Sequence, residues 1–154
     1  MKKVLIAYFS TSGRTQRMAD YIAEGVRISG QQAAVKKIAD IKDPGVVKGF
    51  DGLLVGSPTF SQDAPNPVKK FLDAVIQAGA AGKLAGAFGS YSHDVGYSHD
   101  TYAPALILDY LDQKGKMAKF DLGAFHLQED AVDTDDGMKS CHDYGRVFGE
   151  KLGS

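Results

Sequence analysis

Residues 4–26 read VLIAYFSTSGRTQRMADYIAEGV. Six apolar residues, Val4 to Phe9, run straight into STSGRT, and Met18, Ile22 and Val26 then recur at helical spacing. A strand apolar on both faces, followed at once by an amphipathic helix, is how a parallel sheet covered on both sides begins. The turn between them carries more than a plain connection needs. One Gly and one capping hydroxyl suffice for that, whereas Ser10, Thr11, Ser12 and Thr15 place four hydroxyls around Gly13 and Arg14. Gly13 permits a tight turn with close backbone approach. The following helix aims its unpaired N–H groups and positive dipole end at the same spot, with Arg14 a further source of charge. Such an assembly suits an anion, best a terminal phosphate. A generous N-cap is the plainer alternative. The match is neither GxGxxG nor a Walker A motif, whose Lys after the last Gly is missing.

The same alternation continues along the chain. Leu53–Val55 and Leu84–Phe88 are short runs apolar on both faces, and Ala33–Ile38 and Met117–Phe125 are weaker strand candidates. Val68, Phe71, Leu72, Val75 and Ile76 repeat with a 3.6 period. Leu106, Ile107, Tyr110 and Leu111 form a third helical stripe, and Met138, Cys141, Gly145, Phe148 and Leu152 a fourth. Thr134 is placed to cap that last helix, with Asp135 and Asp136 in its first turn. Residues 39–49 are too few for a helix assignment. The order predicts one doubly wound α/β domain over residues 1–154, with right-handed crossovers. Ligands of such sheets bind beyond the carboxyl ends of the strands. Segments 10–15, 57–67 and 89–100 leave those ends.

Composition narrows the classes. The chain has 154 residues, 44% hydrophobic and 24% charged, with a net charge of −1. No general attraction to nucleic acid or acidic membranes is expected. Cys141 is the single cysteine, which excludes an intramolecular disulfide or a Cys-cluster metal site and suits a cytoplasmic setting. The run Val4–Phe9 is shorter than the ~7–15 residues of a signal-peptide core. No stretch approaches the ~20 apolar residues of a membrane span.

The second loop, GSPTFSQDAPNPVKK, is stiffened by Pro58, Pro65 and Pro67 and holds Phe60 among polar residues. A loop Phe is a core plug or a flat wall for a planar ring. The third, FGSYSHDVGYSHDTY, carries Tyr91, Tyr97, Tyr102, His93 and His99. His93–Asp94 and His99–Asp100 are adjacent pairs that do not project side by side from one rigid element, so no metal site is expected. A phosphate cradle beside two aromatic-bearing loops describes a site for a phosphorylated planar ring.

On these three loops the sequence resembles the flavodoxins over nearly its whole length. STSGRT is similar to their Ser/Thr-x-Ser/Thr-Gly-x-Thr phosphate loop, GSPTF to their second flavin loop, and FGSYSHDVG to the stretch of short-chain flavodoxins that begins Phe-Gly-Ser-Tyr. VDTDDGMKSCHDYGRVFGEKL resembles the last helix of the flavodoxin domain in A-type flavoproteins. Their di-iron domain has no counterpart here, so oxygen or nitric oxide reduction is not implied. The resemblance implies a five-stranded sheet of order 2-1-3-4-5, non-covalent FMN, and transfer of single electrons between redox protein partners. By the same resemblance, Ser10, Thr11, Ser12, Gly13, Arg14 and Thr15 would surround the phosphate. Pro58, Thr59, Phe60 and Ser61 would line one side of the isoalloxazine. Ser90, Tyr91, Ser92 and His93 would line the other side and the pyrimidine edge. His93 stands where an outer stacking aromatic is expected, with Tyr97 as its rival. Phe60 replaces the usual inner Met or Trp, and the chain is nearly neutral where many flavodoxins are acidic. The stretch EDAVDTDD, residues 129–136, would still give a local acidic rim near the flavin edge for basic partners.

Two other functions compete. An FMN-dependent NAD(P)H:quinone or nitro-compound reductase on the same fold usually brings insertions for which 154 residues leave little length. A phosphatase-like domain needs a nucleophilic Cys or Asp in the first loop, and STSGRT has neither.

Flavodoxins often place Gly beside the inner stacking residue, where a peptide flips to bond N5–H of the half-reduced flavin. Ser61 occupies that position, and a Cβ in the φ > 0 region costs roughly 1 kcal/mol more than Gly. Ser61→Gly should therefore move the two one-electron potentials of the bound flavin further apart in a potentiometric titration. An unchanged separation would mean that no flip occurs at this peptide.

Overall fold

A computed structural model describes residues 1–59, 63–92 and 102–154 of the chain. Strand β1 (Lys3–Tyr8) leads to helix α1 (Arg14–Ile28) and strand β2 (Gln32–Lys37). Strand β3 (Gly52–Gly56), helix α2 (Asn66–Gln77), strand β4 (Leu84–Tyr91) and helix α3 (Ala103–Gln113) follow. The chain closes with strands β5 (Ala118–Lys119) and β6 (Phe125–Gln128) and helix α4 (Asp135–Gly153). The sheet order is β2-β1-β3-β4 and then β5, all parallel, with β6 also paired to β4. The doubly wound sheet and the order 2-1-3-4-5 expected from the sequence are those observed.

The double-sided apolar runs explain the two layers. In β1, Leu5 and Ala7 face the core under α2 and α3, while Val4, Ile6 and Tyr8 face the core under α1 and α4. Tyr8, Gly56 and Phe88 are register partners across β1, β3 and β4, so the first two loops leave the sheet at one level, while β4 runs on to Tyr91 before the third begins. Residues 39–49, left unassigned above, contain most of two short 3-10 helices, Ile38–Asp40 and Pro44–Gly49, whose Ile38 and Val47 are buried. The third helical stripe lies one position away from its expected place. Ile107, Leu108 and Leu111 are buried, whereas Leu106 and Tyr110 are exposed.

The fifth strand is the main correction. One strand over Met117–Phe125 was expected, but two short strands fill that position. Phe120 turns inward and packs edge-on against Tyr144 and Phe148, with ring centroids 5.3 and 5.0 Å apart. A turn closed by Gly123 N–H donating to Phe120 O (2.9 Å) separates the two pieces. The gap leaves the Ala87 peptide of β4, paired with Val55 of β3 on one side, without a strand partner on the other. The Tyr144 hydroxyl from α4 fills it, accepting from Ala87 N at 3.3 Å and donating to Gly123 O at 2.7 Å. Burial pushes the Tyr144 phenol well above its ordinary pKa, so it stays neutral as both donor and acceptor.

Helices α1 and α4 meet backbone to backbone. A Cβ on Gly145 would lie 2.0 Å from Ile22 O, and one on Gly25 would lie 2.1 Å from His142 O. No rotamer relieves a clash with a carbonyl, so the helices must part. Gly145→Ala should cost about 2–3 kcal/mol, or roughly 4–12 °C in Tm, read by thermal unfolding. Gly149→Ala should cost less, because its nearest neighbour is the Ser29 hydroxyl (2.0 Å), a side chain able to rotate away. Equal losses would refute the backbone-contact explanation.

Candidate functional site

At the carboxyl end of β1, Gly13 takes a left-handed conformation (φ 85°) and is the N-cap of α1, with no side chain capping the helix. The hydroxyls therefore do not serve as the cap itself. Ser10 Oγ accepts from Gly13 N (3.0 Å), and Ser12 Oγ lies 3.4 Å from Arg14 N. The N–H groups of Thr15 and Gln16, in the first turn, have no intrahelical acceptor. A Cβ built on Gly13 would meet nothing within 4 Å. A cavity of about 450 Å³ lies against the loop, lined by Ser10–Gly13 together with Gln16 and Lys37 among others. Thr11 and Ser12 are exposed there. Hydroxyls, a left-handed Gly and a helix N-terminus on one open cavity fit a phosphate.

The acidic stretch lies against this loop. Asp133 accepts from Arg14 (3.2 Å), Arg17 (2.8 Å) and the Tyr21 hydroxyl (2.9 Å). The Asp133 hydrogen bond raises the Tyr21 pKa above its ordinary value, with burial adding to it. Ser12 Oγ donates to Glu129 Oε1 at 3.1 Å. The Arg14 charge is thus spent on Asp133, and two of the acids expected at a free rim are turned onto the first loop. Asp135 and Asp136 open α4, where Thr134 Oγ1 accepts from Gly137 N (3.0 Å), as its sequence position indicated.

Three loops are tied together at Ser90. Strand β4 runs to Tyr91, so Ser90 is a strand residue and only 1% exposed. Its hydroxyl lies 3.0 Å from the equally buried Thr15 hydroxyl, which joins the first loop to the third. Its carbonyl accepts from Thr59 N (3.2 Å), which joins the second loop to the third. Thr59 Oγ1 in turn accepts from Ala103 N (3.0 Å) at the start of α3. Pro58 is buried beside Ser57, whose hydroxyl donates to Pro58 O (2.8 Å). Tyr91 packs against Tyr102 with centroids 4.7 Å apart, and Tyr102 stacks on His126 of β6 at 4.2 Å and 16°. This aromatic group pins both ends of the third loop. Ser92 is exposed, and Phe60, Ser61, His93 and Tyr97 lie outside the described residues.

The sequence reading missed Ser57, His126 and Lys37, and it placed Asp133 in a free acidic rim rather than against Arg14, Arg17 and Tyr21. The period-2 alternation of FHLQ was the one local signal available for His126. Among the described residues, no group of His, Cys, Asp and Glu could hold a metal. Burial pushes the Cys141 thiol up to about 12, which removes it as a nucleophile.

A family model described as a flavodoxin domain matches residues 5–104. The chain belongs to the flavodoxin family. FMN is the cofactor of flavodoxins and of the flavodoxin domains of larger flavoproteins. The chain is 29% identical to a flavodoxin of Clostridium saccharobutylicum, over 97% of this chain and 94% of that one. It is 32% identical to diflavin flavoprotein A 5 of Nostoc sp., over 97% of this chain. It spans only 25% of that relative's length, and the same share of the similar diflavin flavoprotein A 4 from Nostoc sp.. The solved structure of a flavodoxin from the domain Archaea superposes with a TM-score of 0.83 at 28% identity, covering 99% of both chains.

The Thr15–Ser90 pair is a scaffold contact, which makes it testable without a ligand. Thr15→Ala leaves the buried Ser90 hydroxyl without its partner and should destabilise the flavin-free protein by about 1–3 kcal/mol in urea unfolding. Thr15→Ser should restore most of that. A flavin-free Thr15→Ala as stable as wild type would return Thr15 to a purely ligand-binding role.

Proposed function

We propose that this flavodoxin is a carrier that holds FMN non-covalently and passes single electrons between redox protein partners. The observation that supports it most is the left-handed Gly13 at the N-cap. It opens a hydroxyl-lined cavity at the carboxyl end of β1 while buried hydrogen bonds fix the neighbouring loops. When bound, the flavin supplies the one-electron chemistry. The chain's own residues bind and orient it.

Ser10, Thr11, Ser12 and Gly13 hold the phosphate, helped by the N–H groups of the first turn of α1. Arg14 and Thr15 hold the loop in shape through Asp133 and Ser90. Pro58, Thr59, Phe60 and Ser61 form one wall of the isoalloxazine site. Ser90, Tyr91, Ser92 and His93 form the other, with Tyr97 competing for the outer stacking place. No described helix is long and apolar enough to cross a membrane. The partners we propose are redox proteins that dock at the loop edge, and the setting we propose is the cytoplasm.

A phosphate dianion sheds water on binding and takes charge-assisted hydrogen bonds worth roughly 1.5–3 kcal/mol each. The flavin-free protein should bind FMN more tightly than riboflavin. Ser12→Ala should weaken FMN by about tenfold and leave riboflavin little changed, read by flavin fluorescence. Loaded protein given NADPH and a quinone but no partner protein should show no sustained NADPH oxidation. Sustained turnover would favour the reductase reading instead.

A further inference from the structure

We propose that Lys37 supplies the positive charge that the phosphate meets, and so sets the preference of this protein for FMN over unphosphorylated riboflavin. The proposal rests on the phosphate-cradle reading and extends it to a residue outside the loop motif.

Charge balance leads to it. The cations nearest the loop in sequence, Arg14 and Arg17, share the Asp133 carboxylate at 3.2 and 2.8 Å. A second carboxylate, Glu129, lies 3.1 Å from the Ser12 hydroxyl. Two guanidiniums against two carboxylates leave the loop neutral before any ligand arrives. A phosphate dianion placed there would face no net positive side-chain charge from this group. Further acids act on a residue of the cavity wall. Asp20 and Asp40 raise the pKa of Tyr8, after the larger effect of burial, and Tyr8 lines the cavity.

Lys37 is the basic side chain in the wall of that cavity. It is the last residue of β2 and the register partner of Tyr8, the last residue of β1. The sheet therefore delivers it to the level at which the loop begins. It is exposed, and no described residue forms an ion pair with it, whereas Arg14, Arg17, Lys69, Lys119 and Arg146 all have one. An ammonium on a flexible four-carbon stem acts as a point charge and needs no fixed fork geometry. That suits a terminal phosphate, which presents equivalent oxygens in several directions.

The test titrates flavin-free protein with FMN and with riboflavin, at low and near-physiological salt, in wild type, Lys37→Gln and Lys37→Arg. Lys37→Gln should weaken FMN about fivefold or more at low salt, leave riboflavin within about twofold, and flatten the salt dependence of FMN binding. Lys37→Arg should stay close to wild type. Lys37 is exposed, so thermal unfolding of the flavin-free variants should match wild type. An unchanged FMN affinity in Lys37→Gln overturns the proposal while leaving the cradle in place. A parallel loss for both flavins also overturns it, by showing a role in shape. A wild type that binds FMN no better than riboflavin overturns the cradle reading itself, and this proposal with it.

Discussion

The hydrogen bond between the Thr15 and Ser90 hydroxyls is the contact on which the site geometry depends. The parallel sheet brings the ends of β1 and β3 to one level and carries β4 a little beyond them, but it does not align the loops that leave them. Loops on a rigid scaffold move independently unless something couples them. Here two buried hydroxyls 3.0 Å apart fix the start of α1 to the end of β4. The Ser90 carbonyl then holds Thr59, and Thr59 holds the first N–H of α3. One strand residue thereby sets the relative position of three segments and of two helix N-termini. Because the Thr15 and Ser90 hydroxyls are buried, breaking their bond leaves unsatisfied polar atoms in a dry environment, and the cost resists local opening.

The first loop is constrained from its outer side as well. Asp133 gathers two guanidiniums and a phenol from α1, and Glu129 takes a hydroxyl from the loop. Exposed ion pairs of this kind contribute little individually. Together they decide the sign of the field at the cavity, because charge committed to one neighbour is no longer offered to another. A loop rich in hydroxyls and poor in free charge binds an anion mainly by hydrogen bonds. It then depends on whichever cation the sheet brings alongside.

What the sequence disclosed follows from how local each signal is. Strands β1, β3 and β4 and helices α1, α2 and α4 were readable because their apolar spacing is set within one or two turns. The Thr134 cap was readable for the same reason. Helix α3 was displaced by one position because six residues of ALILDYL are apolar, so periodicity cannot say which face is buried. The fifth strand misled because Phe120 and Phe125 are both β-formers, and only contact with Tyr144 and Phe148 decides that the first piece ends at Phe120, whose N–H still donates to Ala85 O of β4 (2.9 Å). In the site, the loop motif was legible as residue types. The pairings of Arg14 with Asp133, Thr15 with Ser90 and Tyr102 with His126 were not, since each joins residues distant along the chain.

The broken fifth strand also bears on how these molecules behave in a crowd. An open sheet ends in unpaired backbone donors and acceptors, and a long flat edge invites another chain to add a strand. At one margin the ladder is two residues, then a turn, then four residues. The Tyr144 hydroxyl closes the gap from within, where no neighbouring chain can reach it. At the opposite margin β2 ends in Lys36 and Lys37, both exposed, whose charges repel a second copy laid alongside. One margin is interrupted and the other is charged at its end, so the protein can be abundant without its sheets joining edge to edge.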